Sequence, residues 1–150
     1  MNAGLFTLVH MAAKKSSSQL KSVPLFSECT PKELEIVVKN STEKAVKAGT
    51  VLIEQGRVGR EAFVILEGSA TVKRNGKKIG SAKAGSIVGE LSLLDGGPRT
   101  ATVTTDSDTR LLVISDRGMK NTIEFIPAIG RKLLKALAGR VRDLDRAHYG

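Results

Sequence analysis

The sequence predicts a mainly β protein with flanking helices: an antiparallel β-barrel or jelly roll, with one helix before it and helices after it. Three observations carry this. Ten of the 15 glycines fall between Gly49 and Gly97, and the runs between them are short and rich in β-branched residues. Asn75-Gly76 joins two such runs and supplies the positive φ angles of a type I′ hairpin. Further on, Ile126, Ile129, Leu133, Leu137, Val141 and Leu144 step by three or four residues, the period of one helical face.

Taken in order, the chain opens with a mildly apolar stretch, Met1 to Ala13. Lys14 and Lys15 follow it rather than precede it, the reverse of a secretory signal. Residues 1–23 are expected to form a flexible leader, with Ser16-Ser17-Ser18 as a linker. Thr30-Pro31-Lys32-Glu33 then supplies an N-cap, a proline at the first helical position and a glutamate at the third. Leu34, Val37 and Val38 give that helix its apolar face. Strands are expected at Thr50–Glu54, Ala62–Glu67, Ala70–Lys73, Lys78–Ala82, Ala101–Thr105 and Leu111–Ser115, inside a β region of about 43–115. Asp116 is expected to cap a short helix that Pro127 interrupts or restarts, the helices running to about 147. Residues 24–150 thus read as one domain. The other face of the last helix carries Arg131, Lys132, Lys135, Arg140, Arg142 and Arg146, which reads as a solvated face.

Composition removes several function classes. The one cysteine, Cys29, excludes a disulfide framework and a thiolate cluster, and the absence of basic neighbours leaves its thiol inert. His10 and His148 stand at opposite ends, so no multi-histidine metal centre of the cupin type can form. Aromatic residues are 3% of the chain, too few for a base-stacking platform. The net charge of +9 invites a nucleic-acid reading, but each successive fifty residues contribute an excess of three, which is a diffuse field rather than a patch. No apolar run reaches the eighteen residues of a membrane span.

One segment stands apart, Gly85 to Val103, reading Gly-Ser-Ile-Val-Gly-Glu-Leu-Ser-Leu-Leu-Asp-Gly-Gly-Pro-Arg-Thr-Ala-Thr-Val. Gly89 lets the backbone approach a ligand closely. Glu90 to Leu94 is long enough for a single helical turn whose first N–H groups point at an anion. A Gly-Pro turn folds Arg99 back towards those donors, where a cation is unfavourable unless an anion lies between. A phosphodiester suits the arginine fork. Glu90, unfavourable beside phosphate, makes sense as an acceptor of sugar hydroxyls.

Together, Gly-Glu-Leu-Ser-Leu-Leu and Pro-Arg-Thr-Ala in this order and spacing resemble the phosphate-binding cassette of cyclic nucleotide-binding domains. Such domains occur in the catabolite activator family and in cyclic-nucleotide-dependent kinases and channels. Lys47 to Gly56 and Phe63 to Gly68 look like the early strands of that family, and the resemblance covers about residues 24–146. It implies that Glu90 and the backbone of Gly89 take the ribose 2′-hydroxyl. It also implies that Arg99 pairs with the cyclic phosphate, with backbone N–H groups of Ser92 and Ala101. Thr100 adds a hydroxyl to phosphate or base, Leu91 belongs to the same turn, and Val72, Val88, Val103 and Ile87 are candidates for the apolar floor. Two departures stand out: Arg57 and Arg60 fall where many relatives carry acidic residues, and only Tyr149 offers an aromatic lid.

The function expected from this is a cytoplasmic cyclic nucleotide sensor, for cAMP ahead of cGMP. It would need no further cofactor or metal, have no catalytic activity, and signal to a protein effector by movement of its C-terminal helices. Competing readings are a basic regulatory or nucleic-acid-associated protein, for which the residues to Gly150 leave no helix-turn-helix unless the chain is a truncated transcription regulator, and a degenerate ligand-free scaffold.

Overall fold

The computed structural model describes residues 16–149, with side chains through His148. The leader reading of residues 1–15 lies outside the described residues. Eight strands build two four-stranded antiparallel sheets: β1 (Thr42–Val46), β2 (Val51–Ile53), β3 (Glu61–Glu67), β4 (Ser69–Arg74), β5 (Lys77–Lys83), β6 (Ile87–Val88), β7 (Thr102–Thr105) and β8 (Thr109–Ser115). One sheet has the order β1-β8-β3-β6 and the other β2-β7-β4-β5, so the expected jelly roll forms as two sheets with edges rather than a closed barrel. The helices are α1 (Pro31–Lys39), α2 (Glu90–Asp95), α3 (Asp116–Phe125) and α4 (Pro127–Tyr149).

Strand β3 shows how two cores share one sheet. All five residues between its ends are buried, because neither face meets water. Ala62, Val64 and Leu66 join a core with Phe26, Leu34, Met119, Ile129 and Leu133, under the helices. Phe63 and Ile65 point the other way, into a core with Ile53, Ala70, Val103 and Leu111 between the sheets. The β4–β5 hairpin turns at Asn75 and Gly76, whose φ angles of 52° and 77° are those the Asn-Gly pair predicts, and Arg74 pairs with Lys77.

Helix α1 carries the expected capping box: Glu33 N–H donates to Thr30 Oγ1 at 3.2 Å and Thr30 N–H to Glu33 Oε1 at 2.8 Å. Lys132 of α4 also donates to that glutamate, and Lys135 pairs with Glu28, so the first half of α4 is tied to the N-terminal layer. Pro127 restarts the helix as expected, after a break at Ile126. Ile129 and Leu133 are buried, whereas Val141 and Leu144 are 64% and 65% exposed: the same apolar stripe outruns the body it packs on.

Four expectations need correction. Ser16-Ser17-Ser18 is not a linker: residues 16–20 are helical, Ser16 Oγ donates to Glu43, and Leu20 and Val23 lie in the helix-side core. Small buried serines there serve close packing, which composition alone reads as flexibility. Strand β1 was not among the expected strands, because an exposed edge strand has no apolar alternation to find. The two-residue β6 is too short for a periodic signal. The cap of α3 is Ser115, which accepts from Gly118 N–H at 2.9 Å; Asp116 is the first helical residue, where its charge complements the helix dipole.

Candidate functional site

The Gly-rich segment lies over the inter-sheet core. Gly89 closes β6 and caps α2 with φ 81°, a left-handed conformation, and a Cβ there would stand 2.7 Å from Arg99 Nη1 and 3.0 Å from the Glu61 carbonyl oxygen. Glycine is therefore required twice over at this position. Downstream of α2, the chain returns along the loop after β2. Arg99 N–H donates to the Arg57 carbonyl at 2.8 Å and Gly56 N–H to the Arg99 carbonyl at 2.9 Å, while Val58 bridges to Pro98. Arg57 thus contributes its carbonyl to the site, and its exposed side chain pairs with Glu54. Arg60 likewise acts through its carbonyl, which accepts from Asp116 N–H.

This clamp drives the Arg99 side chain inward, to 7% exposure. Its only hydrogen bond runs from Nη1 to the Gly89 carbonyl at 3.3 Å, and no carboxylate pairs with it among the described residues. Burial pulls the guanidinium below its usual value, opposed by the charge of Glu61, yet an arginine so shifted stays charged at neutral pH. No fully buried side-chain nitrogen or oxygen lacks a partner among the described residues, so the remaining Arg99 donors are open to the cleft, where an anionic ligand can meet them. Gly59 makes the space: a Cβ there would lie 2.0 Å from Arg99 Nε.

The cleft beside Arg99 has a volume of about 190 Å³. All ten residues singled out in the sequence line it: Val72, Val88, Gly89, Glu90, Leu91, Ser92, Arg99, Thr100, Ala101 and Val103, and Ile87 does too. Val103 is also a core residue, and Val72 and Val88 pack on that core from the cleft side, so the apolar floor and the inter-sheet core are one layer. Thr100 is exposed, whereas Ser92 and Ala101 are buried beneath it. Glu90 is largely enclosed, and its Oε1 accepts from Arg140 of α4 at 3.2 Å. A larger cavity of about 380 Å³ is lined from β1, β2, β3 and β8, with Thr42, Lys44, Thr50 and Glu61 as its polar residues.

Sequence reasoning missed five participants, Ile53 of the cleft lining among them. Gly59 and Arg140 act across 40 and 50 residues, and no local pattern announces them. Arg74 and Ile79 line the cleft from the two arms of the hairpin; the Asn-Gly turn places both arms side by side, the one signal that could have pointed to them. Tyr149, the candidate lid, has a side chain outside the described residues. Cys29 is buried, and burial, together with the charge of Glu33, raises its thiol and keeps it protonated.

A model of the family described as "Cyclic nucleotide-binding domain" matches residues 43–124, which contain all but the first residue of the two sheets and every residue lining the cleft. The chain belongs to this family. It is 26% identical over 131 residues to the cyclic AMP receptor protein of Thermus thermophilus, covering 84% of this chain and 61% of that protein. It is 31% identical over 140 residues to a cAMP-dependent protein kinase regulatory subunit of Mycosarcoma maydis, covering 87% of this chain and 25% of that one. The chain therefore spans less than two thirds of either relative. Among solved structures, the N-terminal domain of a transcriptional regulator from Streptomyces coelicolor superposes with a TM-score of 0.76 at 28% identity, covering 83% of this chain and 92% of that one. Cyclic nucleotide-binding domains are regulatory rather than catalytic. No helix among the described residues is long and apolar enough to cross a membrane.

Proposed function

We propose that this cyclic nucleotide-binding domain is a sensor of 3′,5′-cyclic nucleotides, cAMP ahead of cGMP, working in the cytoplasm without catalytic activity, cofactor or metal. The observation that carries the reading is Arg99: a buried, unpaired guanidinium aimed into a cleft whose floor is apolar. A cyclic phosphate, singly negative and rich in acceptors, completes it with short charge-assisted bonds. Backbone N–H groups of Ser92 and Ala101 add donors, Glu90 and the backbone of Gly89 take the ribose hydroxyl, and Thr100 faces phosphate or base. The naming of cAMP rests on the two relatives, whose names specify it. At about 0.3 kcal/mol per non-hydrogen atom, a ligand of that size binds with a Kd of roughly 10 µM.

The signal follows from Glu90. Its carboxylate faces α4 through Arg140, so a ribose that claims it changes what holds α4. The ligand then biases the position of α4 by its differential affinity for the two arrangements, and a protein effector reads the helix. Titration of the wild-type chain with cAMP and cGMP, followed by amide shifts in NMR, tests the reading. Shifts concentrated in residues 89–101, spreading into α4, are expected. If neither nucleotide moves those amides, the reading is wrong.

A further inference from the structure

We infer that the outward face of strands β7, β4 and β5 docks on the sugar-phosphate backbone of duplex nucleic acid, without reading its sequence. Ala70 of β4, Ala82 of β5 and Val103 of β7 are buried between the sheets, so their neighbours along each strand point outward. The pairing register sets these neighbours in three rows. Lys83 stands opposite Ser69 in the first, and Ser81, Thr71 and Thr104 form the second. Lys78, Lys73 and Thr102 form the third. The rows hold lysines and hydroxyls alone. Val72 and Val103 line the cleft from the other side of the sheet, so the inference does not rest on the cyclic nucleotide reading.

From Gly68 to Gly89 the chain has five basic residues and no acidic one. An excess that is even when counted by fifties is thus gathered in space by strand pairing. Lys73, Lys78 and Lys83 are exposed, and no carboxylate pairs with any of them among the described residues. Lys73 and Lys78 face each other directly, as do Arg74 and Lys77 one pair further on. Like charges so placed destabilise a hairpin unless an anion lies over them. Lysines on the edge strand β5 also keep other strands away. Lys73 has no such duty, because β4 lies between β7 and β5. The hairpin is nonetheless held in shape. Gln55 and Asn75 exchange two hydrogen bonds at 2.8 Å, and Arg74 Nε donates to the Thr100 carbonyl at 3.0 Å.

Phosphodiester oxygens accept from lysines and hydroxyls, the two groups that this face offers. The hydroxyls of Ser69, Ser81 and Thr104 make no hydrogen bond among the described residues and are free to donate. Thr71 is engaged: its hydroxyl donates to Asp106 at 2.7 Å, so a carboxylate borders the middle row and the phosphates belong over the lysines. Single strands bind by stacking on aromatic side chains, and these rows contain none. A bilayer or a protein partner calls for an apolar anchor, which the rows also lack.

The test is fluorescence anisotropy of a labelled DNA duplex of mixed sequence with the full chain, over a range of salt. Log affinity is expected to fall against log salt with a slope of about −3, close to one for each lysine. Lys73→Gln/Lys78→Gln/Lys83→Gln is expected to weaken binding more than about tenfold at low salt and to reduce the slope by about three. Lys73→Gln alone is expected to reduce it by about one. Lys32→Gln/Arg131→Gln/Arg142→Gln removes the same charge from exposed positions on α1 and α4, and is expected to change affinity by less than about twofold. All six side chains are exposed, so the variants keep the fold, which circular dichroism checks. Equal loss in the two triple variants means a diffuse field and overturns the inference, as does a wild-type chain that does not bind the duplex. Tighter binding of polyglutamate or of phosphatidylserine vesicles than of the duplex overturns it too. In each of these cases the cyclic nucleotide reading stands.

Discussion

Two regions border the cleft and are held in opposite ways. The segment from Gly89 to Ala101 is anchored at several points: main-chain bonds clamp Arg99 against the loop after β2, Ser92 and Leu93 are buried, and Gly89 has no room for a side chain. The second half of α4 stands largely in solvent. Beyond Leu137 its residues are exposed, and the ion pair of Arg140 with Glu90 is what joins it to the site. On the proposed reading, recognition sits on the anchored part and response on the exposed part, which a sensor requires. A binding surface must keep its geometry, and a reporter must have two arrangements of nearly equal free energy.

The largest expected effect lies in the anchored region. Arg99→Ala removes a charged donor and leaves the phosphate unpaired, a loss of about 1.5–3 kcal/mol, or roughly ten- to a hundredfold in cAMP affinity by calorimetry. Gly59→Ala tests the same point without touching the arginine. The backbone of Gly59 does not have a positive φ, so alanine is tolerated there, but its methyl group displaces the guanidinium. Weaker binding with unchanged melting is expected. If Gly59→Ala binds as well as wild type, the position of Arg99 does not matter and the contrast between the two regions fails.

A smaller effect separates the two halves of α4. The first half is tied to α1 through Lys132 and Glu33, whose carboxyl lies below its ordinary value of 4.5. Burial pushes that carboxyl up, but hydrogen bonds from Lys132 and Thr30 outweigh burial. A carboxylate lowered in the folded state contributes stability above about pH 4.5 and loses it as the pH falls through the folded value. Glu33→Gln is therefore expected to unfold about 1 kcal/mol more easily at pH 7, with the difference shrinking as the pH is lowered below 4.5, in denaturant titrations across that range. A difference that does not change with pH would mean that charge plays no part in this anchor.

How much of this was legible in the sequence follows the same division. The cassette is contiguous and chemically unusual, so the order of Gly89, Glu90, Arg99 and Ala101 carried its own reading. The Asn-Gly hairpin and the capping box were equally local. What escaped was long-range or bland. Gly59 matters only because Arg99 folds back over it, and Arg140 only because α4 passes Glu90. Arg74 was one basic residue among 24 until the cleft gave it a place. The helical turn at 16–20 hid behind three serines, since a residue type that favours linkers also packs closely when neighbours demand it. The charge of +9 contained both kinds of arginine, and only their surroundings tell them apart.

The smallest expected effect belongs to the exposed region and has the opposite sign. On the proposed reading, Arg140 and the ribose hydroxyls compete for the Glu90 carboxylate. Arg140 is about half exposed, so its pair is worth no more than about 1 kcal/mol and is screened by salt. Arg140→Ala frees the carboxylate, and cAMP is expected to bind about two- to fivefold more tightly in low-salt calorimetry, the gain shrinking as salt rises. In NMR the same variant should move α4 amides beyond Leu137 towards their ligand-bound positions before any ligand is added. A variant that binds more weakly would make Arg140 part of the ligand's own contacts, and α4 would then belong with the cassette.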